Sequence, residues 1–286
     1  MKPGRFSYHA PQTVDEALEL LSTRDNAKVL AGGQSLMAML NLRYAMPDDV
    51  VDLNGVRGLD DITVTEQDIR FGAMARQRAI ERDAAVAQAA PIFRDALGYV
   101  GHLQTRNRGT IGGSLCHLDP AAELVALCML YDATITIAGK EREKHLPMSK
   151  FPAFYMTPNV EPDEIVVGVT LPRWHGVHGH GFFEFARRHG DFAVIAAGTL
   201  MELDSGGLIR RCAIVIGGAG ASPLRLTGAE DMLLGQRPDA DALTAAAAIA
   251  GEIDAMEDNV YSSDYRRHLA RVLTGRALAQ AAERAI

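Results

Sequence analysis

Apolar residues recur at helical intervals through Val14, Ala17, Leu18 and Leu21, and Thr13 stands three residues before Glu16, the spacing of a capping box. This predicts a first helix over 13–21. Short apolar or β-branched runs predict strands at Lys28–Leu30, Val50–Leu53, Ile62–Val64 and Ile69–Phe71. Between them Ser35–Leu42 reads as a short helix with Leu36, Met39 and Leu40 packing inward. Helix-forming runs fill Ile80–Leu97, with Pro91 marking a break or a first turn. A helix over Pro120–Leu130 and strands over Ala133–Ile137 and Glu164–Leu171 follow, the last closed by Pro172. Further on, Gly181–Ala186, Ala193–Leu203 and Arg210–Ile216 are strand-like or mixed, and Ala240–Ile253 and Asp264–Ala285 are helical. Strands followed by helices is α+β order rather than a long βαβ alternation. The glycine- and histidine-rich stretch Pro172–Gly181 reads as a seam, which predicts domains over 1–175 and 176–286.

The chain has 286 residues, 48% of them hydrophobic, enough to bury a core in one large or two medium domains. Its formal net charge of -7 argues against nucleic acid or an anionic membrane as main partner. No apolar run reaches spanning length, and Met1–Arg5 has no apolar secretory core, so the cytoplasm is the expected compartment. Cys116, Cys128 and Cys212 form no C-x-x-C pair and read as reduced core or near-core thiols. A protein with these cysteines that passes electrons needs any iron–sulfur cluster on another polypeptide.

Two short segments stand out: Ala31-Gly32-Gly33-Gln34-Ser35 and Thr110-Ile111-Gly112-Gly113-Ser114. Each is read as a turn after a stretch that could run as a strand, and each ends in a hydroxyl. Paired glycines permit positive φ and close approach to a ligand. Successive N–H groups in such a turn can form an anion-binding nest. Two such loops suggest a grip on one diphosphate from either side. Two tight turns without a ligand would use the same residues.

The surrounding residues decide between these. Val29–Leu36 with Asn41-Leu42-Arg43, Pro47 and Val51–Asn54 resembles the flavin-binding medium subunit of the molybdenum hydroxylases. That family includes carbon monoxide dehydrogenase, quinoline oxidoreductase and the flavin domain of xanthine dehydrogenase. Val100-Gly101-His102, Gln104, Arg106–Leu115 and Asp119–Leu124 extend the likeness, as do Phe185–Arg188 and Gly190–Ala193. The resemblance implies a two-subdomain FAD-binding fold of the vanillyl-alcohol oxidase and p-cresol methylhydroxylase type. A smaller C-terminal domain of antiparallel sheet and helices would follow it. It implies FAD here, with iron–sulfur clusters in a small partner subunit and the molybdenum cofactor in a large one, in a dimer of heterotrimers. Electrons would enter from the clusters and leave to an external acceptor, so this chain would carry no catalytic residue and no metal of its own.

Residue by residue, the resemblance makes Ala31–Ser35 and Thr110–Ser114 the diphosphate loops. Glu123 takes the place of a carboxylate near the ribityl or ribose hydroxyls, with Asp119 the alternative. Val100 and Val167 would flank the cofactor. Arg187 aligns with an arginine-rich stretch beside the flavin ring, and Phe192 with an aromatic near it; a core aromatic is the competing reading of Phe192. Glu184 departs from the lysine that relatives often carry, so a role in stabilising negative charge on a reduced flavin is in question there.

Other features read as structural. Gly217-Gly218-Ala219-Gly220 follows a strand, but Pro223 occupies the third glycine position of a dinucleotide fingerprint, so a turn is expected. His175, His178 and His180 lack neighbouring carboxylate or cysteine ligands and read as part of a solvated linker. His102 and His117 read as hydrogen-bonded structural side chains, and Tyr265–His268 as a solvated helix face. Arg106 and Arg108 suit either a phosphate or an anchoring carboxylate. A stand-alone FAD-dependent oxidase or reductase is the alternative function, but it needs an acid–base constellation that the sequence does not display.

Overall fold

The computed structural model describes residues 1–285. The predicted N-cap forms: the Glu16 N–H donates to Thr13 Oγ1 at 3.2 Å, while the Glu16 carboxylate accepts from the N–H of Gln12, one residue before the cap, at 2.6 Å. The first unit runs β1 (Ser7–His9), α1 (Val14–Ser22), β2 (Ala27–Leu30), α2 (Leu36–Leu42) and β3 (Asp49–Asp52). Its three strands pair in parallel in the order β1-β3-β2. Parallel neighbours need crossovers, which α1 and α2 provide. This local alternation departs from the strands-then-helices order predicted for the whole chain.

The second unit holds β4 (Ile62–Val64), β5 (Asp68–Gly72), α3 (Gln77–Arg82), α4 (Ala84–Ala89), α5 (Ile92–Leu97), α6 (Leu103–Arg108), α7 (Ile111–His117) and α8 (Glu123–Leu130). The chain continues through β6 (Thr134–Ala138), β7 (Glu143–Pro147), β8 (Pro152–Phe154), β9 (Thr157–Pro158) and β10 (Ile165–Pro172). Five strands form an antiparallel sheet in the order β4-β5-β10-β6-β7, and β8 pairs with β9 alone. Pro91 caps α5, where its missing N–H costs nothing. Every residue of α8 is buried, including Glu123. A helix that is apolar all round lies inside the protein, and α8 is packed between this unit and the next.

The third unit contains β11 (His178–Phe185), β12 (Ile195–Leu203), β13 (Ile209–Gly217), β14 (Leu224–Arg225), α9 (Thr227–Leu233), α10 (Ala240–Ala250) and α11 (Ser263–Arg284). Its antiparallel sheet has the order β11-β12-β13-β14. The two-subdomain α+β arrangement with a C-terminal antiparallel sheet and helices is therefore as expected.

The histidine-rich seam is a solvated linker only in part: His175–Val177 is exposed, as predicted, but His178 and His180 are not in it. From His178 onward it is β11, and its alternation of side chains divides two interfaces. A Cβ on Gly179 would lie 1.7 Å from the Ala281 carbonyl oxygen, and one on Gly181 would lie 2.2 Å from that of Ala277. Only glycine lets α11 lie this close to the strand. Residues of the opposite parity face the second unit. His178 meets the Trp174 ring at 5.7 Å, His180 Nε2 lies 3.3 Å from Asp95 Oδ2, and Phe182 meets the Tyr99 ring at 5.7 Å. Arg284 at the end of α11 also reaches Asp95, at 2.8 Å.

Candidate cofactor site

The two glycine motifs meet. A Cβ on Gly32 would stand 2.2 Å from the Arg108 carbonyl oxygen and 2.8 Å from Gly109 Cα. A Cβ on Gly113 would stand 3.4 Å from Ala31 Cβ. Gly112 sits against Ala73, whose carbonyl oxygen would be 2.6 Å from an added Cβ. Two of the four glycines, Gly32 and Gly112, are therefore required by the approach of another backbone, whereas a Cβ on Gly113 would meet the Thr110 hydroxyl at 2.8 Å. Only Gly33, with φ +71°, occupies the left-handed region.

The motifs differ in structure. Ala31–Ser35 is a turn between β2 and α2, as predicted. Thr110–Ser114 is not a turn after a strand: α6 precedes it, Thr110 is the N-cap of α7, and both glycines lie in the first helical turn. Nor is it a nest of free donors. The N–H groups of Ile111, Gly112, Gly113 and Ser114 donate to Ala75 O, Ala73 O, Thr110 Oγ1 and Thr110 O. In the first motif, by contrast, the N–H groups of Gly32, Gly33, Gln34 and Ser35 have no acceptor among the described residues. The Ser35 and Ser114 hydroxyls also make no hydrogen bond there, so the donors offered to an anion are four amides and two hydroxyls.

Two residues that sequence reasoning missed clamp this junction. Arg76 donates to Arg108 O and to Asn54 Oδ1, each at 2.5 Å, and Asn54 Nδ2 donates to Ala31 O at 2.9 Å. Arg76 thus ties both motifs together, and an isolated bridge pairs it with Thr110. Burial and the Arg108 charge pull its pKa down from the usual guanidinium range. Neither Arg76 nor Arg108 has a carboxylate within ion-pair distance among the described residues. Arg106 resolves the other way: it pairs with Glu81 at 3.0 Å and donates to Val100 O at 2.8 Å, so it anchors a loop. The signal available in the sequence was slight: Asn54 ends the Val51–Asn54 stretch that carries part of the family resemblance, and Arg76 lies in no motif.

The remaining predicted residues fall in two places. Val167 lies at a bulge in β10, in the apolar cluster that also contains Val29 and Ala31. Val100, Glu123, Arg187 and Phe192 lie along the junction with the C-terminal sheet. Gly190, with φ +86°, brings the Arg187–Phe192 loop onto the Gly101 carbonyl, within 3.0 Å of its own would-be Cβ. Phe192 is 66% exposed, so the core reading is excluded. Arg187 is exposed and meets Asp191 at 3.4 Å. Asp119 Oδ1 accepts from the Ala121 N–H at 2.9 Å, forming the turn that leads from α7 into α8. Glu123 is 9% exposed, and burial pushes its carboxyl up to about 7.

Other expectations need correction. The His102 and His117 side chains make no hydrogen bond among the described residues, and burial lowers the pKa of His117. Cys116 is exposed, whereas Cys128 and Cys212 are buried. Arg266 is not on a solvated face: it donates to Val194 O at 2.7 Å and Gly218 O at 2.8 Å, tying the Gly217–Gly220 turn to the residue that precedes β12. That turn is structural, since a Cβ on Gly218 would lie 2.8 Å from Val194 O.

Comparison with known proteins gives these features a family. The FAD binding domain in molybdopterin dehydrogenase matches residues 4–174, and the CO dehydrogenase flavoprotein C-terminal domain matches residues 180–281. The chain belongs to the FAD-binding subunits of the molybdenum hydroxylases. It is 36% identical over 287 residues to the 6-hydroxypseudooxynicotine dehydrogenase complex subunit alpha of Paenarthrobacter nicotinovorans, covering 100% of this chain and 97% of that one. It is 32% identical to the carbon monoxide dehydrogenase medium chain of Hydrogenophaga pseudoflava, covering 97% of each. Quinoline 2-oxidoreductase from Pseudomonas putida 86 superposes with a TM-score of 0.95 at 32% identity, over 100% of this chain and 99% of that one. This molybdenum hydroxylase flavoprotein is thus an oxidoreductase subunit with an FAD-binding domain. Its unmet amides and hydroxyls fit a diphosphate. No helix among the described residues is long and apolar enough to cross a membrane.

Proposed function

We propose that this chain holds FAD with its diphosphate between Ala31–Ser35 and Thr110–Ser114, and that it passes electrons from a partner's iron–sulfur cluster to an external acceptor. The four unmet N–H groups of the first motif, set against the second motif, carry this reading. Gly33, Gln34 and Ser35 are partly or fully open to solvent, so their N–H groups are free to donate to a ligand, and a diphosphate supplies several acceptors. FAD, when bound, supplies chemistry that accepts electrons singly or in pairs; the chain orients it and sets its surroundings. Asp119 and Glu123 offer acceptors to cofactor hydroxyls, Val100 and Val167 line it, and Arg187 and Phe192 approach its ring from the C-terminal unit.

The molybdenum cofactor and the clusters would reside in a large and a small partner subunit. Relatives are themselves named as a subunit or medium chain of larger dehydrogenases. A dimer of heterotrimers in the cytoplasm is the assembly we propose. Isolation through a tag on this chain tests it. Chains bearing molybdenum and iron–sulfur clusters should co-purify, and substrate should bleach the flavin absorbance. A yellow protein that travels alone and turns over its own substrate would instead make it a stand-alone oxidase or reductase.

A further inference from the structure

Asp52 ends β3 and belongs to a chain of hydrogen bonds that runs from β1 into both glycine motifs. Tyr8 of β1 lies opposite Val50 in the parallel pair of β1 and β3, and residues two apart on a strand share a face, so Tyr8 and Asp52 share one. The Tyr8 hydroxyl donates to Asp52 Oδ2 at 2.5 Å. The carboxylate beside it raises the pKa of the Tyr8 phenol, so the hydroxyl keeps its proton and stays a donor. Asp52 Oδ1 accepts from the Asn54 backbone N–H at 2.8 Å and also from Asn54 Nδ2. The same carboxylate thereby caps the single 3₁₀ turn over Leu53–Gly55.

Asn54 carries the chain onward. Its Nδ2 also donates to Ala31 O at 2.9 Å, and its Oδ1 accepts from Arg76, which in turn donates to Arg108 O. Only one orientation of the amide fits. Turned over, its NH2 would face the Arg76 guanidinium, and its oxygen would face the Asp52 carboxylate and the Ala31 carbonyl. Yet Asn54 is exposed, and an exposed side chain loses conformational entropy when it is held in one place. Asp52 holds it twice, once by the backbone and once by the amide.

We propose that Asp52 is a positioning residue for the cofactor junction: it fixes Asn54 where that amide can tie Ala31 O to Arg76, and so sets how the free N–H groups of Gly32–Ser35 face the second motif. Tyr8 supports it from β1. The effect on FAD rests on the reading of the site given above; the coupling through Tyr8, Asp52, Asn54 and Arg76 does not.

The test compares Asp52→Ala, Asp52→Asn, Arg76→Ala and the double variant of Asp52→Ala with Arg76→Ala in the full chain. Thermal unfolding is followed on protein freed of flavin, and FAD affinity by quenching of flavin fluorescence. Asp52 and Arg76 share no hydrogen bond, but the Asp52 charge acts on Arg76 through space, so the unfolding series is repeated in Asn54→Ala. The double variant should lose less unfolding temperature than the two single shifts added together, and in Asn54→Ala the shifts should add. Additive shifts in the parent chain, or a coupling that survives Asn54→Ala, overturn the positioning role. Asp52→Ala should weaken FAD binding about tenfold or more. Asp52→Asn should keep most of the affinity, because an asparagine can turn its oxygen to Asn54 and its NH2 to the Tyr8 hydroxyl. Wild-type affinity in Asp52→Ala, or an Asp52→Asn as weak as Asp52→Ala, overturns the link to the cofactor. Coupled unfolding in a wild-type chain that takes up no FAD would sink the FAD reading and leave the hydrogen-bonded chain standing.

Discussion

Replacing Gly32 by alanine adds one methyl group where there is no room for it. The new Cβ would lie 2.2 Å from Arg108 O and 2.8 Å from Gly109 Cα, both backbone atoms that no side-chain rotation can move. Relief requires the two motifs to part by about an ångström, the difference between 2.2 Å and an ordinary carbon–oxygen contact. Overpacking of this kind costs typically about 1–3 kcal/mol of stability. The effect on the cofactor is larger in proportion, because the same shift misaligns the amides of Gly32–Ser35. Each hydrogen bond to a charged group contributes about 1.5–3 kcal/mol, so loss of one weakens FAD binding about 10- to 150-fold. Gly228→Ala is the control: nothing lies within 4 Å of its would-be Cβ, and it sits in α9 without positive φ. It should be neutral or stabilising by about 0.4–1 kcal/mol. Flavin content by absorbance and thermal unfolding by circular dichroism would be measured together. If Gly32→Ala keeps full FAD occupancy and wild-type affinity, the close contact of the two motifs does not shape the site.

Further outcomes follow from the neighbouring residues. Arg76→Ala removes the guanidinium that ties Arg108 O to Asn54, and should weaken FAD binding about tenfold or more, read by quenching of flavin fluorescence. Equal affinity would mean the clamp is dispensable. Phe192→Ala should change stability by less than about 0.5 kcal/mol, as expected at an exposed position, yet alter the flavin spectrum and its reoxidation by oxygen. An unchanged spectrum and rate would remove Phe192 from the ring. The raised Glu123 carboxyl binds its proton more tightly in the folded chain than in the unfolded one. Its contribution is therefore most favourable below pH 4.5 and is lost as pH rises to about 7. Glu123→Gln should flatten the denaturant-stability profile across that window by on the order of 3 kcal/mol, and parallel profiles would contradict the assignment.

Periodicity made the long elements legible: α1, α10 and α11 lie within a residue or three of the predicted helices, because caps and apolar stripes are local signals. The meeting of the two motifs was suggested by their shared form and decided by the family resemblance, since nothing local encodes contact between residues some eighty positions apart. The second motif was misread as a turn because Gly-Gly is poor helix material. Gly112 serves the close approach of Ala73 to α7, a tertiary demand that overrides propensity. The seam at 172–181 was misread for the same reason. Gly179 and Gly181 admit α11 and His178 and His180 face the second unit, and neither neighbour is visible in the composition. Arg76 and Asn54 were missed because a clamp of hydrogen bonds to backbone carbonyls leaves no motif.

The central claim, that this chain is the FAD-carrying member of its complex, is tested most directly by acid precipitation of the purified complex followed by mass spectrometry of the supernatant. Neither motif holds a cysteine or histidine as an attachment point, so all the yellow colour should be released. The flavin should be FAD, one per copy of this chain, and Gly113→Val should abolish it while the circular dichroism spectrum persists. Release of FMN, colour retained in the pellet, or full FAD occupancy in Gly113→Val would contradict the account.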